Sequence, residues 1–164
     1  MDTTERVTLS GETEEQLVVF KLGDESYGVN IEAVNTIIRI PDITSVPHAP
    51  EYVQGVINLR GLIVPVICLR TRFGLGRAEV TKATRVVVVE STGMQVGMIV
   101  DAVTETMSLP LANIEPLSPL VQSVDSRYLR GVGKIDNRLI ILLSLDKVLS
   151  QQESDALRGL AAAA

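Results

Sequence analysis

"YVQGVINLRGLIVPVICL" (52–69) and "YLRGVGKIDNRLIILLSL" (128–145) align without a gap at an offset of 76. Tyr52 meets Tyr128, Gly55 meets Gly131, Val56 meets Val132 and Leu69 meets Leu145. In each copy two apolar runs flank a short polar centre, Arg60-Gly61 in the first and Asp136-Asn137 in the second. A second match lies upstream: "QLVVFKLGDESYGVNI" (16–31) slides onto "TRVVVVESTGMQVGMIV" (84–100) at an offset of 69. There Val18 meets Val87, Val19 meets Val88, Gly28 meets Gly97, and "IEAV" (31–34) meets "VDAV" (100–103). Two ordered, ungapped matches identify an internal duplication. The unequal offsets imply about seven extra residues in the second half, expected in the Pro-containing "SLPLANIEPLSPLVQS" (108–123).

The repeated runs are short and rich in Val, Ile and Leu, which reads as strands. Gly23-Asp24-Glu25 and Ser91-Thr92-Gly93 supply hairpin turns. The duplication therefore predicts an all-β chain with two similar subdomains, about 16–72 and 84–149, of about five strands each. Units of that size are marginal alone. Two small barrels sharing an apolar interface would bury the surplus, and "RLIILLSL" fits a strand buried on both faces. Pro65 lacks an N–H, so its strand is expected at an edge or a bulge. Residues 1–15 read as a flexible tail, and 151–164 as a short helix beginning after Ser150 with a frayed alanine end.

Arg60 falls between two core-forming runs, where a buried unpaired guanidinium would be costly. Its alignment with Asp136 places it on a hairpin turn in water, with Gly61 at positive φ. Turn chemistry alone is served by Asp-Asn, as in the second copy. The arginine needs another reason.

Enzyme chemistry finds little support. His48 is the single histidine and lies between two prolines, in a surface loop. Cys68 is the single cysteine and reads as a small core residue. One of each makes no metal ligand set. Glu32 and Asp101 occupy equivalent positions and read as residues that start or cap a helical turn, not as an acid pair. "RFGLG" (72–76) holds GxG without a phosphate-binding context. Net charge is −5, but residues 1–16 carry five acids against Arg6 alone, so the remaining chain is nearly neutral. A nearly neutral body with five aromatics argues against nucleic acid. No apolar run reaches the roughly 18 residues needed to span a bilayer, and the acidic N-terminus is unlike a signal peptide, so a cytoplasmic protein is expected. No cofactor is expected. Two small β-units with a groove between them, and an arginine beside it, point to a binding module.

"FKLGDESYGVNIEAV", "YVQGVINLRGLIVPVICL", "VGMIVDAV" and "YLRGVGKIDNRLIILLSLDKVL" together resemble the CheW family of chemotaxis coupling proteins, over residues 16–150. The resemblance implies two SH3-like five-stranded barrels around a shared hydrophobic core. It implies a non-enzymatic adaptor that couples chemoreceptor cytoplasmic tips to the histidine kinase CheA and helps build receptor arrays at the membrane. The receptor tip would dock in the groove between the barrels. The family's Asn-Leu-Arg-Gly motif carries over to Asn58, Arg60 and Gly61 as receptor-binding residues. Val34, Gly55 and Val103 match further family positions, Val103 being the repeat of Val34. No kinase-contacting residue is assigned, although the first barrel is expected to carry that surface. Thr36 departs from the family, where an acid is usual. The alternative is a CheW-like regulatory domain of a larger kinase or receiver-fused protein. Because the chain ends close to the fold on both sides, a free-standing adaptor is expected.

Overall fold

The computed structural model describes residues 13–76, 79–91, 93–116, 128–148, 153 and 156–159. Among them run eleven strands: β1 (Glu14–Leu22), β2 (Glu25–Asn30), β3 (Val34–Arg39), β4 (Val53–Leu59), β5 (Leu62–Cys68), β6 (Arg85–Ser91), β7 (Met94–Val100), β8 (Ala102–Pro110), β9 (Ile114–Glu115), β10 (Leu129–Ile135) and β11 (Arg138–Leu143). Two single-turn helices, α1 (Leu69–Arg72) and α2 (Leu145–Val148), follow β5 and β11. The strands form a six-stranded sheet, β8-β1-β2-β11-β10-β9, and a five-stranded sheet, β3-β6-β7-β5-β4. The all-β class, the paired sheets and the short helices agree with the sequence reading.

The division at 16–72 and 84–149 does not separate these sheets. The hairpin β1–β2 belongs to the first half but lies between β8 and β11 of the second. Reciprocally, β6–β7 lies between β3 and β5. A duplication reveals which segments are equivalent, not with which copy they pair. The exchange is made through two parallel joints, β2 with β11 and β5 with β7. Their registers are the same under the repeat, Leu142 facing Gly28 and Val66 facing Gly97. The bulges repeat too. Thr104 is skipped where β8 meets Val19–Phe20, and Asn35 where β3 meets Val88–Val89.

Exchanged hairpins are buried on both faces because strand side chains alternate. Leu17 and Val19 of β1 join Leu109, Ile140 and Leu142 inside the six-stranded unit. Val86 and Val88 of β6 join Ile57, Val64 and Val66 inside the five-stranded unit. The alternate residues Val18, Phe20, Val87 and Val89 meet in a larger core shared by the two sheets. The five aromatics are consumed there. Phe20, Tyr27, Phe73 and Tyr128 form a file with centroids 6.0, 6.0 and 5.4 Å apart. The Arg72 guanidinium ends the file, lying 4.9 Å from the Tyr128 ring centre and 4.5 Å from that of Tyr52.

Three local expectations change. β5 is an internal strand, not an edge, and Pro65 is tolerated because the ladder with β7 begins one residue later, at Val66. β1 starts at Glu14, which shortens the expected tail 1–15, and residues 1–12 lie outside the described residues. Residues 153 and 156–159 are helical, as expected after Ser150, and Leu157 is buried in the shared core, so this segment is docked. The alanine end and residues 117–123 lie outside the described residues.

Candidate functional site

Asn58, Arg60 and Gly61 form one turn between β4 and β5. The Asn58 side-chain oxygen accepts the Gly61 N–H at 2.8 Å. Arg60 and Gly61 both adopt left-handed conformations, with φ of 54° and 86°. That is the two-residue hairpin turn favoured by the right-handed strand twist, and it normally selects Asn, Asp or Gly. The sequence reading gave positive φ to Gly61 alone. For arginine the left-handed region costs roughly 1 kcal/mol. Arg60 is exposed and makes no hydrogen bond or ion pair with any described residue.

Beside this turn Leu62 is 51% exposed. It borders a groove of about 430 Å³ lined by Leu62, Ile63, Pro65, Glu90, Gly93, Met94, Gln95 and Arg158. Glu90 also lines a second cleft, of about 370 Å³, with Ala33 and α2 on its walls. Val34 follows Ala33 and pairs with Val89, so it stands across Glu90 from the Arg60 turn. The groove is thus partly apolar, with Arg158 on its wall, the Arg60 turn next to Leu62 in the chain, and the Glu90 carboxylate shared by the two clefts.

The other expected site residues are placed differently. Val34 and Val103 are half-buried against the shared core, on β3 and β8, the edge strands of different sheets. Gly55 lies at the far end of β4 from the turn, at a bulge, with φ of 151°. A Cβ there would stand 2.2 Å from the Thr44 carbonyl oxygen, so glycine is required for backbone packing. Met94, Glu90 and Arg158 were not anticipated. Leu62 carried a signal, since an apolar residue stands where the second copy has Arg138.

The rest of the surface chemistry is structural. Arg72 donates from Nε to the Val148 carbonyl at 2.9 Å and pairs with Glu153 at 2.6 Å. The Tyr52 hydroxyl donates to Glu153 at 3.1 Å. Burial, reinforced by the Glu153 charge and opposed by Arg72, pushes the Tyr52 phenol up to about 12. Tyr27 is raised as well, chiefly by burial and then by Glu25. Glu32 lies in a 3-10 turn capped by Asn30, whose side-chain oxygen accepts the Glu32 N–H at 2.8 Å. Asp101, by contrast, caps no helix: it sits at a bend, pairs with Arg70 at 3.1 Å and accepts the Gly23 N–H at 2.8 Å. His48 is exposed in its loop, and Cys68 is half-buried at the end of β5. Among the described residues no group of three or more His, Cys, Asp or Glu is placed to hold a metal.

A family model described as the CheW-like domain matches residues 16–153. The chain belongs to the CheW-like family. It is 36% identical over 141 residues to the chemotaxis protein CheW of Rhizobium meliloti, covering 86% of this chain and 91% of that one. It is 35% identical over 146 residues to CheW of Klebsiella aerogenes, covering 88% of each. The crystal structure of the scaffolding protein TtCheW from Thermoanaerobacter tengcongensis superposes with a TM-score of 0.78 at 39% identity, over 83% of this chain and 88% of that one. The CheW-like pattern includes the duplicated strands described above, so the hairpin exchange belongs to a fold this chain shares with that scaffold.

Proposed function

We propose that the protein is a non-enzymatic scaffold of bacterial chemotaxis that couples the cytoplasmic tips of chemoreceptors to the histidine kinase CheA. It acts in the cytoplasm and joins membrane-associated receptor arrays through its partners. Among the described residues no helix is long and apolar enough to cross a membrane. One observation carries the reading: Arg60 is exposed, unpaired among the described residues and held in a turn that disfavours arginine, next to Leu62, which lines the partly apolar groove with Met94. A residue kept at a conformational cost serves a contact outside the chain, and arginine beside an apolar groove is a common interface anchor. Asn58 and Gly61 present it, Val34 stands on the edge strand of the sheet that lines the groove, and Val103 takes the matching place on the edge strand of the other sheet. Gly55 supports the same strand from its other end.

The test is co-sedimentation with receptor-containing membranes and purified CheA, comparing wild type with Arg60→Asp, with circular dichroism as the folding control. The folded variant is expected to lose the receptor while keeping CheA. Equal sedimentation of both proteins with receptor would return Arg60 to a solvated turn residue. Failure of the wild type to bind either partner would overturn the adaptor reading itself.

A further inference from the structure

The C-terminal segment lies outside both matched repeats, and the family model's match ends at Glu153, before Leu157 and Arg158. A short helix is marginal by itself, so tertiary contacts must hold this one. Leu157 is 1% exposed in the shared core. Upstream, Glu153 accepts from the Arg72 guanidinium at 2.6 Å and from the Tyr52 hydroxyl at 3.1 Å. Two fixed points on one short segment leave little freedom for the residue after Leu157. That residue, Arg158, is exposed and lines the groove that Leu62, Pro65 and Met94 also line.

The charge of the groove depends on this placement. Among the described residues its lining has two charged side chains, Glu90 and Arg158, and the Arg60 turn adjoins it through Leu62. Without Arg158 the lining would carry the Glu90 carboxylate alone and would repel an acidic partner. With Arg158 the lining is balanced, and Arg60 tips the site toward anions. We propose that Arg158 is a specificity-determining contact of this groove, pairing with a carboxylate on the receptor tip that Arg60 engages. The docked segment thereby adds a cation that the duplicated strands do not supply to the lining. The inference rests on the reading of the groove as the receptor site and extends it to a residue beyond the family model's match.

The experiment is a titration of the full chain with receptor-containing membranes, read by co-sedimentation. Co-sedimentation with CheA, circular dichroism and hydrogen exchange at 156–159 serve as controls, and all three are expected to be unchanged because Leu157 and Glu153 stay in place. Arg158→Ala is expected to bind receptor about fivefold more weakly. Arg158→Glu, which sets a second acid beside Glu90, should lose more than about tenfold. Arg158→Lys keeps the charge and should stay within about twofold of wild type. Added salt should weaken wild-type binding more steeply than that of Arg158→Ala, which a purely structural role would not produce. Wild-type affinity in the folded Arg158→Glu protein would overturn the proposal. If Arg60→Asp still loses the receptor in that assay, the groove reading stands without Arg158. If Arg60→Asp also binds like wild type, the groove reading falls as well. Equal losses in the lysine and alanine variants would overturn the proposal too, because charge would then not decide the contact.

Discussion

At residues 58–62 the chain turns through Arg60-Gly61, and at 134–138 it turns through Asp136-Asn137. All four turn residues take positive φ. Beyond the turn the second copy closes on itself, because Arg138 pairs with Glu105 at 2.7 Å. The first copy has Leu62 and Thr36 at those two positions, so that ion pair cannot form, and Arg60 is exposed with no partner among the described residues. A duplicated fold carries its own control. Where the halves agree, as at Gly55 and Gly131 or Val34 and Val103, the residue serves the shared architecture. Where they differ, as at Arg60, Leu62, Arg72 and Asp146, architecture does not dictate the choice.

The shared positions should therefore break the fold hardest. At Gly55 an added Cβ meets the Thr44 carbonyl at 2.2 Å in a left-handed-side backbone, whereas at Gly131 it meets the Glu115 carbonyl at 2.9 Å. Backbone cannot yield as a flexible side chain does. Gly55→Ala is expected to cost about 3 kcal/mol or more, and Gly131→Ala about half as much. Urea unfolding of both variants measures the difference. Equal costs would mean that the two bulges are less alike than their registers indicate.

Next comes Arg72, whose repeat partner is Val148. Its guanidinium lies over two tyrosine rings, pairs with Glu153 and donates to the Val148 carbonyl. Arg72→Ala is expected to cost about 2 kcal/mol, discounted for the partly exposed pair. Hydrogen exchange should accelerate at 156–159, because the C-terminal helical segment loses its anchor. Unchanged exchange there would show that Leu157 alone holds the segment.

Tyr52 gives the same anchor a pH dependence. Its phenol loses its proton at about pH 12 in the folded chain, against 10 when free. The folded state therefore retains a proton that the unfolded chain releases. This contribution to stability is complete below about pH 10 and is lost as pH rises toward about 12. Tyr52→Phe should reduce the slope of the alkaline limb of a melting-temperature profile, leaving the slope due to Tyr27, whose phenol burial and Glu25 raise further still. An unchanged limb would assign the whole effect elsewhere.

Much of this was legible in the sequence, for definite reasons. In "RLIILLSL" Ile140 and Leu142 face one core and Ile141 and Leu143 the other, so the unbroken apolar run signalled a strand buried on both faces. The turn at Arg60 was legible because Asp136-Asn137 advertises turn chemistry in the matching place. The hairpin exchange was not legible, since β1 pairs equally well with either copy's β-branched neighbours on pattern alone. Pro65 misled because a proline reports a missing donor without reporting which neighbour needs it. Arg158 and Met94 come to the groove from distant segments, and only the fold brings them beside Leu62.

The smallest expected effect separates the two turns most sharply. Arg60→Asn gives the first turn the residue type that its φ of 54° prefers, while Gly61 and the Asn58 hydrogen bond stay in place. Relief of the left-handed arginine should raise stability by about 0.5 kcal/mol, and Asp136→Arg should lower it by a similar amount. If Arg60 serves a partner, the stabilised Arg60→Asn protein binds receptor membranes less well than wild type. Stability and binding then move in opposite directions at one residue, which a purely architectural role does not produce. If Arg60→Asn lowers stability instead, the arginine stem supports the turn, and the first copy's difference from the second is structural after all.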